Sequence, residues 1–202
     1  VPLMTKYPQG GERQLIYAVT GRSINSKMLP ADVGCIVDNV ETIVAIYHAV
    51  KLGQPLTNRI FTVTGDAVCE PRNFYISIGT SYQELLEAAG GLIKPAKKMI
   101  SGGPMMGFAL FDLDVPTTKT TSALLCMTED EASKYETTAC INCGRCVEAC
   151  PEQLVPSRLA DFSAHGQKDM FEKWYGLECV ECGSCSYVCP ARRPLAQAVK
   201  TM

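Results

Sequence analysis

The chain has 202 residues, 47% of them hydrophobic and 20% charged, with a formal net charge of −2 at pH 7. That length allows one to three small domains, the charge balance offers no basic patch for nucleic acid, and no apolar run is long enough to span a membrane. Eleven cysteines in a chain with no secretion-type leader read as metal ligands rather than as disulfides.

Residues 1–56 open on Tyr7-Pro8-Gln9-Gly10-Gly11-Glu12, a glycine turn. Leu15, Ile16, Ala18 and Val19 then predict a buried helix that closes near Gly21. A loop through Pro30 leads to Asp38-Asn39-Val40-Glu41, where Asp38 and Glu41 have the spacing of a capping box. Val40, Ile43, Val44, Tyr47 and Val50 recur at helical period, and Gly53 followed by Pro55 ends that helix. Val1-Pro2-Leu3 enters this motif at once, as a piece cut from a longer protein would.

Residues 57–110 change character. Arg59-Ile60-Phe61-Thr62-Val63-Thr64-Gly65 and Asn73-Phe74-Tyr75-Ile76-Ser77-Ile78-Gly79 are β-branched and aromatic runs ending at glycine, which predicts two strands. Ser81 and Glu84 form a capping box for a helix over residues 82–89, stopped by Gly90-Gly91. With Lys98-Met99-Ile100-Ser101 as a further strand, the order predicts a small α+β module of β-grasp type. Residues 111–135 read as a connector. Hydroxyl residues crowd around Lys119, Leu124-Leu125-Cys126-Met127 forms a short strand, and Thr128 with Glu131 caps a brief helix.

Residues 136–202 carry the chemistry. Cys140-x2-Cys143-x2-Cys146-x3-Cys150-Pro151 recurs as Cys179-x2-Cys182-x2-Cys185-x3-Cys189-Pro190. Bacterial ferredoxins hold [4Fe–4S] clusters with this run, so two copies predict two clusters and a chain that moves electrons. Three thiolates with two residues between neighbours wrap one face of a cubane. The fourth cysteine is expected to start a short helix that points away, and in two-cluster ferredoxins it ligates the other cluster. The expected sets are Cys140, Cys143, Cys146 and Cys189 for one cluster, and Cys179, Cys182, Cys185 and Cys150 for the other. Gly144 and Gly183 lie between ligands, where a missing Cβ lets backbone approach the cluster. Leu154, Leu159, Phe162, Phe171 and Trp174 between the runs predict two short helices, hence an α-helical ferredoxin domain.

Zinc is the weaker alternative, because zinc ribbons separate their C-x2-C pairs by longer spacers. Cys35, Cys69 and Cys126 have no ligand-like neighbours and read as small buried apolar residues. Arg192-Arg193 follow the second run and read as solvated cations able to meet an acidic redox partner. No residue reads as catalytic.

The ordered set Tyr7-Pro8-Gln9-Gly10-Gly11-Glu12-Arg13-Gln14-Leu15-Ile16, Leu29-Pro30-Ala31-Asp32-Val33-Gly34, Thr62-Val63-Thr64-Gly65, Gly102-Gly103-Pro104-Met105-Met106-Gly107 and Cys182-Gly183-Ser184-Cys185 resembles the RnfC family of the Rnf electron-transport complex over nearly the whole chain. That family is similar to the flavin-bearing subunit of respiratory complex I. The resemblance implies an α+β multidomain chain. Residues 1–56 would be the C-terminal part of an NADH/FMN-binding-like α/β domain and residues 57–110 an SLBB-type β-grasp domain. Residues 111–135 would be a connector and residues 136–202 an α-helical ferredoxin domain with two [4Fe–4S] clusters.

The resemblance also implies a role. It suggests a subunit that passes electrons between NADH/FMN and ferredoxin-type partners, as in the ion-translocating ferredoxin:NAD oxidoreductase. Its partners would be other Rnf-type membrane subunits or a soluble reductase, and its place cytoplasmic and peripheral on the inner face of the cell membrane. In the complex I relative a Tyr-x-x-Gly-Glu-Glu segment lies against flavin and nicotinamide; Tyr7, Gly10 and Glu12 match it, and Gly11 replaces the first glutamate. An Asn-Asn-Val-Glu-Thr turn of that relative corresponds to Asp38-Asn39-Val40-Glu41-Thr42, so only Asn39 transfers cleanly. Gly10, Gly11, Glu12 and Asn39 are thus the FMN or NADH candidates of the full-length protein. The family's glycine-rich phosphate loop lies upstream, so this segment alone is expected to leave the flavin site empty. Two alternatives stay open: a soluble relative feeding a cobalamin or proline reductase, and a module whose clusters are only structural.

Overall fold

A computed structural model describes residues 1–202. In chain order the elements are α1 (Glu12–Thr20), α2 (Val40–Leu52), β1 (Asn58–Thr64), β2 (Arg72–Ser77), α3 (Tyr82–Ala88), β3 (Lys98–Ser101), β4 (Phe108–Leu110), β5 (Ala123–Met127), α4 (Arg145–Glu148), α5 (Pro156–Ala164), α6 (Lys168–Lys173), α7 (Ser184–Tyr187) and α8 (Leu195–Lys200). They form two compact units: Asp38–Tyr135, and Val1–Val37 together with Glu136–Met202.

The first of these is the sheet unit. Its five strands run in the order β2-β1-β5-β3-β4. β1 pairs antiparallel with β2 and parallel with β5, while β3 pairs antiparallel with β4 and with β5. Two hairpins around a helix, with the last strand laid beside the first, make the expected β-grasp. Strand alternation supplies the core: Phe61 and Val63 of β1 and Leu124 and Cys126 of β5 are fully buried, and Leu85 and Leu86 of α3 close over them. Phe61 meets Tyr82 edge to face, with centroids 5.4 Å apart, a contact that adds about 1 kcal/mol to the area buried. Ser81 accepts from the Glu84 N–H at 3.1 Å and Glu84 accepts in return from the Ser81 N–H at 2.9 Å, the expected capping box.

Residues 111–135 do not form a connector. β5 lies between β1 and β3, with Thr62 opposite Ala123 and Ile100 opposite Leu125. Thr117 is buried, donating its N–H to Thr80 O at 2.9 Å and accepting at its own carbonyl from the Gly79 N–H. The segment is therefore part of the sheet unit's core. Thr128 does not cap a helix either: its N–H donates to Asp66 Oδ1 at 2.9 Å and its hydroxyl to Asp66 Oδ2. A short 3-10 turn, Glu131–Lys134, begins after Asp130 instead. The Thr128 bonds hold the Asp66 carboxyl below its usual pKa.

α2 begins as expected, but its cap is Asn39 rather than Asp38: Asn39 Oδ1 accepts from the Glu41 N–H at 2.9 Å. Glu41 turns instead to β1, accepting from Arg59 Nη2 at 3.1 Å and from the Ile60 N–H at 2.6 Å. Within this unit no α2 residue is buried. Helical periodicity thus identifies the apolar face but not a partner for it.

The cysteine unit is helical. α1 ends at Gly21 as expected, in a left-handed cap, but only Ile16 of it is buried. α5 and α6 occupy the segment between the cysteine runs, where two helices are expected. The core here is divided between two small groups. Leu154, Leu159, Phe171 and Val199 pack against Cys150 and Cys179; Ala160, Cys185 and Leu195 pack against Cys146 and Cys189.

Candidate metal centres

The repeat in sequence is a repeat in backbone. Asn142 and Glu181 have φ 54°, Gly144 and Gly183 have φ 78°, and Gln153 and Arg192 have φ 56° and 53°. Each pair occupies the same position in its run. Left-handed conformation is costly for non-glycine residues, so four such residues at matching places mark a loop shape that both runs must hold. A Cβ on Gly144 would meet nothing within 4 Å; the glycine is there for its φ, and no crowding in the chain demands it. The fourth cysteines do not start helices. α4 and α7 begin before the third cysteine of each run, and Cys150 and Cys189 follow their ends.

Two cavities collect the eight cysteines. One, of about 220 Å³, is lined by Cys140, Cys143, Cys146 and Cys189, with Arg158 and Arg193 on its wall. The other, about 20 Å³, is lined by Cys150, Cys179, Cys182 and Cys185 with Leu154 and Val199. Each combines three cysteines of one run with the last of the other. Nowhere do three or more His, Cys, Asp or Glu side chains converge as a single metal ion requires. Four thiols around the 220 Å³ cavity suit a polynuclear cluster better than a lone ion; the 20 Å³ cavity has room for about one water, and there it is the four-thiol donor set, not the volume, that fits [4Fe–4S].

The two sites differ in environment. Cys140 and Cys143 are exposed; Cys182 and Cys185 are buried. At the buried site, burial raises the thiol pKa of Cys150 and Cys179 and pushes that of Cys185 up to about 11. Ligands there must still be deprotonated to bind iron, so the metal has to offset that cost. Backbone N–H groups of Leu154 and Glu181 point at the Cys150 and Cys179 sulfurs, each at 3.4 Å.

The N-terminal segment is tied to this buried site. Tyr7 donates its hydroxyl to Cys182 O at 2.6 Å, and its pKa is raised by burial and by Cys182. Arg13 of α1 donates to Glu178 at 2.9 Å and lies 3.6 Å from Glu152, two carboxylates close in sequence to Cys179 and Cys150. Ser26 donates its N–H at 2.7 Å and its hydroxyl at 2.6 Å to Glu178. Burial opposes the Glu178 charge, yet the Ser26 and Arg13 bonds outweigh it and hold its pKa below the usual value.

The candidates away from the cysteines fall on both units. Gly10 and Gly11 lie on the turn before α1, where the Gly11 N–H donates to Pro8 O at 2.7 Å, and Glu12 is exposed in the first helical turn. Asn39 belongs to the sheet unit and spends its side chain on the α2 cap. Of the remaining cysteines only Cys126 is buried, its thiol pushed up to about 11; Cys35 is half-buried and Cys69 exposed, so the expectation for those two fails. Arg193 also departs from expectation. Its side chain is 21% exposed and donates to Asp161 Oδ1 at 2.8 Å, on the wall of the cavity built mainly by the first run.

Comparison with known proteins finds an iron–sulfur domain over the same cysteines. Family models match residues 1–48 (Nuo51 FMN-binding domain), 60–109 (SLBB domain) and 139–192 (4Fe-4S dicluster domain). The C subunit of a proton-translocating ferredoxin:NAD(+) oxidoreductase complex from Clostridium ljungdahlii is 47% identical over 86% of this chain and 37% of its own length. The Na(+)-translocating counterpart from Acetobacterium woodii is 46% identical over 98% of this chain and 45% of its own. The C subunit of an ion-translocating oxidoreductase complex from Pseudomonas aeruginosa is 45% identical over 81% and 21%. The chain thus spans less than half the length of these relatives, and it carries iron–sulfur and SLBB domains with a match to a flavin-binding domain. No helix is long and apolar enough to cross a membrane. On these identities the chain is, over most of its own length, homologous to the RnfC family, the C subunits of ion-translocating ferredoxin:NAD(+) oxidoreductase complexes.

Proposed function

We propose that this chain is the electron-conducting segment of an RnfC protein, passing electrons between NADH/FMN and ferredoxin-type partners. Cys140, Cys143, Cys146 and Cys189 hold one [4Fe–4S] cluster, and Cys150, Cys179, Cys182 and Cys185 the other. The observation that carries this reading is the crossed lining of the two cavities, three cysteines from one run with the last of its repeat. When bound, each cluster supplies reversible one-electron chemistry. The chain's own residues position and tune. Thiolates bind, left-handed loops aim them, and Leu154, Leu159 and Val199 keep water from the buried site.

In the full-length protein Gly10, Gly11 and Glu12 contribute to an FMN and NADH site; Asn39, with its side chain on the α2 cap, is a candidate by resemblance alone. The Gly10-Gly11 turn offers backbone without side chains, as close approach to a planar ring requires. The segment's partners are other Rnf-type membrane subunits and a ferredoxin-like protein, and its place is the inner face of the membrane. The names of its relatives favour this complex over a soluble carrier for another reductase. Anaerobic reconstitution followed by iron analysis tests the core of the reading. About eight irons per chain are expected for two cubanes; four or fewer would sink it.

A further inference from the structure

The repeat places different residues at one equivalent position. Four residues after Cys150 stands Leu154; four residues after Cys189 stands Arg193. Leu154 is 7% exposed and lines the buried cavity, whereas Arg193 lines the exposed one. Because Cys189 crosses to the cavity of the first run, Arg193 travels with it. Asp161 on α5 accepts from Arg193 Nη2 at 2.8 Å and fixes the guanidinium on the wall of the cavity that Cys140 also lines.

We propose that Arg193 is a tuning residue that sets the reduction potential of the cluster held by Cys140, Cys143, Cys146 and Cys189 above that of the cluster held by Cys150, Cys179, Cys182 and Cys185. The proposal rests on the two-cluster reading given above. Reduction adds a negative charge to a group already anionic through its thiolates. A fixed cation stabilises that added charge, and so does water. The exposed site has both, with Arg158 as a second cation on its wall. The buried site has apolar walls, and the Glu152 carboxylate among its lining residues is paired with Arg13 at 3.6 Å, so that pair adds no net cation there. The N–H groups of Leu154 and Glu181 at 3.4 Å from sulfur act in the opposite direction. They are two neutral donors, each about half as strong as an ionised one, set against two guanidinium groups and solvent at the exposed site, so the exposed site prevails. A single electron on the two-cluster chain therefore resides at the exposed site, leaving the exposed cluster reduced by one electron and the buried cluster oxidised.

The test is redox potentiometry followed by electron paramagnetic resonance on the anaerobically reconstituted chain, with iron content measured alongside. Two midpoint potentials are expected. Arg193→Gln should lower the higher one and leave the lower in place, at unchanged iron content. Arg193→Lys, which keeps the charge, should restore most of the difference. If the lower potential moves instead, if both move together, or if neither moves while iron content is full, the assignment of Arg193 is overturned. If Arg193→Lys falls as far as Arg193→Gln, charge is not the cause and the proposal is again overturned. Iron content at half or less in the unsubstituted chain would instead overturn the two-cluster reading, and this inference with it.

Discussion

The sheet unit and the cysteine unit build their interiors from different materials. In the sheet unit one continuous apolar cluster runs from Phe61 and Val63 through Leu85 and Leu86 to Leu124. In the cysteine unit the apolar groups are small and lean on cysteines: Leu154, Leu159, Phe171 and Val199 against Cys150 and Cys179, and Ala160 and Leu195 against Cys146, Cys185 and Cys189. A small core is marginal without a staple, and in the second unit the staple is the ligand set itself. Folding and metal binding are then one equilibrium there, while the sheet unit has an apolar core that includes none of the eight cysteines.

The strongest way to break this contrast is to remove the iron. Chelation under anaerobic conditions should abolish hydrogen-exchange protection in α5, α6 and α8 and leave β1 and β5 protected. Protection that survives in the helices would show that their apolar groups suffice. A finer cut exchanges one cysteine. Cys189→Ser should cost about half the bound iron, given clusters of four irons each, and remove the signal of the site built on Cys140, Cys143 and Cys146. Cys150→Ser should do the same to the other site. Loss of the signal from the substituted residue's own run would refute crossed ligation.

How much of this is legible in the sequence differs from element to element, and the reason is range. Ser81 and Glu84 announce their helix because both ends of the capping box lie within one turn. The eight cysteines announce their two cavities because three of the four cysteines lining each are local in sequence. β5 is readable as a strand from Leu124-Leu125-Cys126-Met127, yet nothing local says that it inserts between β1 and β3, a pairing that joins Thr62 to Ala123. Arg193 reads as solvated for the same reason. Its sequence neighbours belong to the second run, and its spatial neighbours, Asp161 and Cys140, are set by the crossing of Cys189. Tyr7, Arg13 and Ser26 meet residues 178 and 182 only in space, and no periodicity or spacing signals that contact.

Core truncations sharpen the comparison at the next level of effect. Leu124→Ala should destabilise the sheet unit by about 2–5 kcal/mol, the usual cost of emptying a fully buried leucine site, measurable by denaturant unfolding followed through β-sheet circular dichroism. Iron content should not change, because Leu124 touches no ligand and belongs to the apolar cluster of its own unit. Leu159→Ala, by contrast, empties a site whose neighbours include Cys150 and Cys179. Its cost should appear as weakened iron retention under chelator as well as lower stability. Equal iron retention in the two variants would mean that packing and ligation in the cysteine unit are not coupled.

The smallest effect gives the cleanest control. Ser81 accepts from the Glu84 N–H and sits at the start of α3, far in sequence from every cysteine of the two runs. Ser81→Ala removes that acceptor and leaves an orphan donor at the helix start, a loss of about 1 kcal/mol. The mutation changes no charge and empties no core volume, so its influence should stop at the sheet unit. Denaturant midpoints should fall while iron content and both midpoint potentials stay at their unsubstituted values. A shift in either potential would mean that a local loss in the sheet reaches the clusters. The division into an apolar-cored unit and a ligand-cored unit would then have to give way to a single cooperative structure.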